Sequence, residues 1–115
     1  ELEGEFPQYS PNDIFIIDSN VSVAELLPTT FALTQAYPNP FNPSTTIEYQ
    51  TPKDSKVLLY IYDINGRLID RLVNSNINAG YHKIVWNASE YSSGIYLVKM
   101  IAGSYTNTQK IMLIK

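Results

Sequence analysis

The residue types that carry out chemistry are scarce in this chain, and their spacing does not assemble them. A single histidine, His82, and no cysteine exclude disulfide frameworks, thiolate zinc sites and cysteine nucleophiles, and leave little for metal or general-base work. His82 stands next to Lys83 in the strand-like run YHKIVW (81–86) and reads as a structural histidine. A serine nucleophile needs an adjacent base and usually leaves a glycine-rich elbow, and no G-x-S-x-G occurs. Glu48, Asp63, Asp70 and Glu90 lie in or beside strand-like runs, with nothing to bring two of them together as a glycosidase pair. Asp63-Ile64-Asn65 opens like a calcium loop but lacks the later acidic ligand, so a plain turn is expected. Gly4, Gly66, Gly80, Gly94 and Gly103 stand singly at turns and form no phosphate-binding loop. Nine tyrosines and Trp86 supply rings on which a sugar can stack, but tyrosine is also a good strand residue whose ring packs while its hydroxyl reaches water. The residues point away from an enzyme, and from any cofactor or metal.

The elements that carry these residues are strands. Over KVLLYIYD (56–63), Val57, Leu59 and Ile61 fall on one face and Leu58, Tyr60 and Tyr62 on the other, and a run apolar on both faces belongs at the centre of a sheet. Asn65-Gly66 then predicts a type I′ turn that joins 56–63 to RLIDRLV (67–73) as an antiparallel hairpin. YHKIVW follows Ala79-Gly80, and a polar loop over 87–93 ends at Gly94. IYLVKMIA (95–102) and YTNTQKIMLIK (105–115) then flank Gly103-Ser104 as a closing hairpin. Upstream, FALTQAY (31–37) and STTIEYQ (44–50) are separated by Pro38-Asn39-Pro40-Phe41-Asn42-Pro43, a segment that proline holds extended or turned. Seven short strands without a competing helix predict an all-β fold, a seven-stranded immunoglobulin-like antiparallel sandwich over 31–115.

The residues before this region differ in kind. With 115 residues, 44% of them hydrophobic and 17% charged, one core suffices and disorder of the whole chain is excluded. The net charge of −3 hides an asymmetry: residues 1–30 hold six acidic residues and no Lys or Arg, so the remainder is basic by three. All seven prolines precede residue 53, which leaves the second half free for uninterrupted sheet. Residues 1–30 read as an acidic linker or the end of a preceding region, with Phe6 as an anchor and a short strand over Ile14–Ile17 that pairs with or packs on the sandwich or a neighbouring molecule. The start Glu1-Leu2-Glu3 lacks an initiator Met and a signal peptide, so the chain reads as a piece of a longer one. The eight cations form no clustered run, which argues against nucleic-acid binding.

Five stretches carry a resemblance. LPTTFALTQAYPNPFNPSTTIEYQTP (27–52), YIYDINGRLIDRLV (60–73), AGYHKIVWNAS (79–89), SSGIYLVKM (92–100) and TQKIMLIK (108–115) resemble, in order, the C-terminal sorting domain of type IX secretion, type A. Y-P-N-P-F-N-P, Y-D-x-x-G-R, S-G-x-Y and the closing K-x-x-L-x-K are specific in combination. The resemblance implies the same immunoglobulin-like fold and a signal rather than a catalyst. Such a domain is recognised by outer-membrane secretion components after its cargo, upstream in the same chain, has crossed the inner membrane. A sortase-like cysteine peptidase commonly removes it and joins the cargo to an anionic lipopolysaccharide at the cell surface, with cleavage here in 19–30. The family motifs map onto Pro38, Asn39, Pro40, Gly66, Arg67, Gly94, Tyr96, Lys110 and Lys115. Gly66, Gly94 and Tyr96 read as turn and core residues, whereas the last strand is expected to offer backbone groups, Lys110 and Lys115 to a partner, and Pro38–Phe41 a stiff surface loop. The competing reading is an immunoglobulin-like accessory module, a spacer, adhesin or carbohydrate-binding domain of a secreted protein.

Overall fold

The computed structural model describes residues 26–115, so the strand expected over Ile14–Ile17 and the anchor Phe6 lie outside the described residues. Among the described residues, alternation of buried and exposed side chains resolves into seven strands: β1 (Ala32–Leu33), β2 (Ser44–Thr51), β3 (Ser55–Asp63), β4 (Leu68–Ile77), β5 (Gly80–Asn87), β6 (Gly94–Ala102) and β7 (Tyr105–Leu113). They form two antiparallel sheets, ordered β1-β2-β5 and β4-β3-β6-β7. This is the immunoglobulin-like sandwich expected from the strand count. As its two apolar faces require, β3 is interior to its sheet, with Val57, Leu59 and Ile61 fully buried between the layers.

Alternate residues of both sheets fill the space between them. Ile47 and Tyr49 of β2 and Trp86 of β5 meet Val57, Leu59 and Ile61 of β3, Tyr96, Val98 and Met100 of β6, and Ile111 and Leu113 of β7 in one cluster. Strand β4 is the exception: none of its residues is fully buried, and Ile69, Leu72, Val73 and Ile77 are only partly covered against that cluster. Among the described residues the small sheet has three strands against four, and β1 lies beside β7, where the Leu33 N–H donates to the Tyr105 hydroxyl and Gln109 Nε2 to the Leu33 carbonyl. Trp86 and Tyr91 reach the start of β4, and among the described residues β4 pairs with β3 alone.

Three local expectations are corrected. The β3–β4 connection is not a two-residue type I′ turn. The Gly66 N–H bonds to the Asp63 carbonyl and the Asp63 N–H to the Arg67 carbonyl, both at 2.9 Å, and Gly66 has φ 84°. These bonds define a three-residue loop whose left-handed Gly66 makes a bulge opposite Asp63. The first strand is two residues long rather than seven, because the register slips by one between Leu33↔Tyr49 and the isolated bridge Tyr37↔Thr46, and an extra residue interrupts pairing there. Strand β4 runs on through Asn74-Ser75-Asn76, which pair with Leu58, Val57 and Lys56; partners across the sheet override poor local preference. The closing hairpin has the two-residue turn Gly103-Ser104, with Ala102 opposite Tyr105.

Candidate functional site

The strands give the sandwich two ends of different character. One end carries the close of β3 and β7 and the start of β4 and β6: Asp63 pairs with Tyr96, and Gly94 with Leu113. The proline segment reaches the same end, because Phe41 forms a parallel bridge with Leu113. The other end holds the Gly103-Ser104 turn and residues 26–31, where the Thr30 carbonyl accepts from Gln50 Nε2 and Ala32 pairs with Gln50. Chain preceding the sandwich therefore enters opposite the first end, separated from it by a strand of about 25 Å.

At the first end the proline segment is fastened along the outer edge of β7. The alternating ladder leaves the N–H and C=O groups of every second β7 residue pointing away from β6. Asn39 bridges two of these positions with one side chain: its Nδ2 donates to the Lys110 carbonyl (3.1 Å) and its Oδ1 accepts from the Met112 N–H (2.9 Å). The backbone continues the pairing, with the Phe41 N–H on the Met112 carbonyl and the Ile114 N–H on the Phe41 carbonyl, both at 2.9 Å. Phe41 is buried and packs against Trp86 at 5.7 Å between ring centroids. The expectation that the last strand offers its backbone to a partner is thus corrected over 110–114, where Asn39 and Phe41 take those groups.

Beneath this edge lies an aromatic cluster. Trp86 packs against Tyr91 and, edge to face, against Tyr96, while its Nε1 donates to Asp70 Oδ2 across the sandwich at 3.0 Å. The Tyr91 hydroxyl donates to the Ile69 carbonyl, and its pKa is raised by burial and, less, by the neighbouring Asp70 and Glu90 charges. The Tyr96 hydroxyl donates to the Ser92 carbonyl. Lys115 closes the end: Nζ donates to the Ser89 and Tyr91 carbonyls at 2.7 and 2.8 Å, and its N–H donates to Ser93 Oγ.

The nine motif residues thus come to one end, in three groups. Gly66, Gly94 and Tyr96 shape the turn, strand start and core; Asn39 and Lys115 tie segments together. Pro38, Pro40, Arg67 and Lys110 face solvent, Arg67 with a side chain 79% exposed although its Nε bonds Asp63 Oδ2 at 3.0 Å. Sequence reasoning missed Met112 and Ile114, exposed large apolar residues beside Lys110, and missed that Ile114 lines a shallow depression with Pro38, Pro40, Phe41 and Asn42. Their signal was faint, an apolar residue at an outward position of a strand otherwise carrying threonine and lysine there. The described tyrosines are spread over the sandwich: Tyr49 and Tyr96 are core residues, Tyr37 and Tyr81 are exposed on the small sheet, and Tyr60 and Tyr62 share the outer face of β3. His82 stacks on Tyr49 and bonds through Nε2 to the Asn78 carbonyl at 2.8 Å, the structural role expected. Among the described residues no group of histidine and carboxylate side chains is arranged to hold a metal ion.

Comparison with known proteins agrees with this geometry. The family profile described as the secretion system C-terminal sorting domain matches residues 35–115. No curated protein matches the sequence. Among solved structures, the dimeric latent PorU of Porphyromonas gingivalis is similar with a TM-score of 0.58 and 19% identity, over 71% of this chain and 9% of that one. PorZ of the same organism, an essential surface component of the type IX secretion system, is similar with a TM-score of 0.54 and 21% identity, over 73% of this chain and 12% of that one. The chain spans about a tenth of the length of either, and at these identities the likeness is one of fold.

Proposed function

We propose that this chain, which belongs to the secretion system C-terminal sorting domain family, is read by the type IX machinery at the motif-bearing end of its sandwich, with its cargo joined at the opposite end. Family membership makes the domain a sorting signal that sends the protein carrying it to the cell surface or medium. The supporting observation is the convergence of Pro38–Phe41, Gly66-Arg67 and Lys110–Lys115 on the end remote from residues 26–31. A receptor serving many cargoes must read what they share, and a fastened loop and strand end lose little conformational entropy on binding. Arg67, Lys110, Met112 and Ile114 form the exposed surface of this reading, cationic and apolar. Processing by a sortase-like cysteine peptidase belongs in the linker 19–30, whose mostly small and polar residues, with Glu25 the one charge, suit an extended substrate; intact mass of the secreted parent checks it.

The test is a reporter fused upstream of the whole chain in a bacterium with this machinery. Lys110→Glu, Met112→Ser and Ile114→Ser together change only exposed side chains, so stability should shift by no more than about 0.5 kcal/mol per site. Export is expected to fall by about tenfold or more, the loss of about 1.4 kcal/mol of recognition. Lys53→Glu with Ser104→Glu, at the linker end, should leave export intact. Undiminished export of the triple variant, or equal loss in both, refutes the proposal.

A further inference from the structure

Strand β3 is apolar on both faces, yet only one of them meets the core, and the other belongs to a surface of one-sided charge. We propose that the outer face of the sheet β4-β3-β6-β7 is a membrane-docking surface, seated on a bilayer that carries anionic headgroups.

The register fixes which side chains share this face, because residues directly opposite one another in an antiparallel pair point the same way. Tyr60 lies between Arg71 and Lys99, Tyr62 between Leu68 and Leu97, and Leu58 between Asn74 and Ile101. Lys56 and Lys110 stand toward opposite ends, paired with Asn76 and Leu97. The apolar members are half-buried and none is covered completely. The Arg71 guanidinium lies 5.8 Å from the centre of the Tyr60 ring. Lys99 is half-buried, and a lysine of this kind lays its stem along apolar surface and holds its ammonium in water. The face therefore carries four cations, Lys56, Arg71, Lys99 and Lys110. The five acidic side chains of the described residues all lie elsewhere. Glu48 points outward from the small sheet, Asp54 bonds to the Ala79 N–H, and Asp63 holds the β3–β4 turn. Asp70 bonds to Trp86 between the sheets, and Glu90 lies in the loop after β5.

Charge and shape select the occupant. A second copy is disfavoured, because two such faces oppose cation to cation, and the outer face of the small sheet sets Glu48 against Lys83 and so offers no complement. The depression lined by Tyr62, Gly66, Leu97, Lys99 and Thr108 is shallow, without the deep pocket in which a protein partner seats its anchoring side chain. Four strands by eight residues span about 19 by 27 Å, or about 500 Å², short of the about 800 Å² that each partner gives to a standard protein interface. A bilayer needs neither pocket nor fixed outline. Tyrosines and long cationic side chains with apolar stems suit its interface, where one end of each meets acyl chains and the other meets headgroups. Each Lys or Arg held near an anionic surface strengthens binding about fivefold, or about 1 kcal/mol. The net charge of −3 does not oppose this, because charges act over only about 8 Å at physiological salt. Docking by this face lays the strands along the membrane, so that the linker end and the motif-bearing end both lie beside it. Lys110 and Met112 also belong to the motif-bearing end, so the test spares them and the two readings can fail separately.

The test sediments the full chain with vesicles of phosphatidylcholine and phosphatidylglycerol in equal parts, and with vesicles of phosphatidylcholine alone. Binding should require the anionic lipid and weaken steeply between about 0.05 and 0.5 M salt. Lys56→Gln with Arg71→Gln changes two exposed side chains and should weaken binding about 25-fold, about fivefold for each charge removed. Lys83→Glu shifts the net charge by the same two units from the outer face of the small sheet and should leave binding within about twofold of the parent. A paramagnetic headgroup in the vesicle should broaden the NMR signals of the Tyr60, Tyr62, Leu97 and Lys99 amides and spare those of β2 and β5. Failure to sediment with the anionic vesicles overturns the proposal, as does equal binding to the neutral ones. Equal loss in Lys83→Glu and in the double variant reduces the effect to net charge and overturns it too, and broadening centred on β2 and β5 places the contact on the other sheet. Shifts of the same four amides with poly-glutamate, without sedimentation on vesicles, overturn it in favour of an acidic protein partner.

Discussion

Asp63 is the residue on which the β3–β4 hairpin turns, and its contribution has a sign that can be worked out. Its Oδ1 accepts from the N–H groups of Asn65 and Arg67, both at 2.9 Å, and its Oδ2 accepts from Arg67 Nε. The Arg67 N–H is the largest cause holding its pKa below the ordinary carboxylate value, the Asn65 N–H and the Arg67 charge add to it, and partial desolvation opposes them. The lowered folded value means that this stabilisation is present above the unfolded pKa of about 3.9 and is lost as pH falls through the folded one. Asp63→Asn keeps an acceptor but not the charge. It should reduce stability at neutral pH, and below pH of about 4 its stability should fall less steeply than that of the parent. Carboxyl-carbon NMR should place the Asp63 titration below 3.9; a titration at or above it removes the argument. Gly66 supports the same turn from the backbone, since its φ of 84° is one that side chains with a Cβ resist.

At the scale of elements, the loop 38–43 is an edge cover for β7, because Asn39 and Phe41 occupy backbone groups that an exposed strand would leave open to aggregation or to a partner. Asn39→Ala deletes both side-chain bonds and leaves the Lys110 carbonyl and Met112 N–H to water, at a cost of about 1–3 kcal/mol. Asn39→Asp retains an acceptor for the Met112 N–H but sets a carboxylate against the Lys110 carbonyl, so it should rescue little. Denaturant unfolding measures the first, and faster exchange of the Met112 and Ile114 amides localises it; unchanged exchange there would mean that the loop stays docked without Asn39. This pairing also marks the limit of what the sequence makes legible. Strand β3 shows in the apolar side chains on both its faces, and the hairpin shows in Asn65-Gly66, because local periodicity and turn chemistry leave a trace. Asn39 meets Lys110 and Met112 across 71 and 73 residues through one side chain that stands in for a strand residue, and such a contact has no period. The end of β4 is hidden for a related reason: Asn74-Ser75-Asn76 are held by their β3 partners and not by their own preference. The bulge at Gly66 was masked because Asn-Gly serves two turn types that share the left-handed glycine and differ by one residue of loop.

For the whole molecule, the separation of two ends matters more than any one motif residue, and it decides which experiments are informative. Removing β7 does not isolate a signal. Strand β7 supplies Ile111 and Leu113 to the core, pairs along its whole length with β6 and anchors Phe41, so loss of export after such a deletion would follow from loss of the fold alone. Geometry offers a cleaner contrast, because the chain enters at the Gly103-Ser104 end while the motif residues lie about 25 Å away. A compact domain appended after Lys115 would sit on the motif end, crowding Lys110, Met112 and Ile114 without altering the strands beneath. A flexible Gly/Ser insertion in the linker 19–30 changes the distance to the cargo and leaves the motif end open, and loop length itself costs little, about 0.6 kcal/mol for each doubling. The appended chain should therefore melt within a few degrees of the parent yet export its reporter at about a tenth of the parent level or less, while the chain with the lengthened linker exports normally. Full export of the appended chain would place recognition elsewhere on the sandwich, with the exposed outer faces of the two sheets as the remaining surfaces.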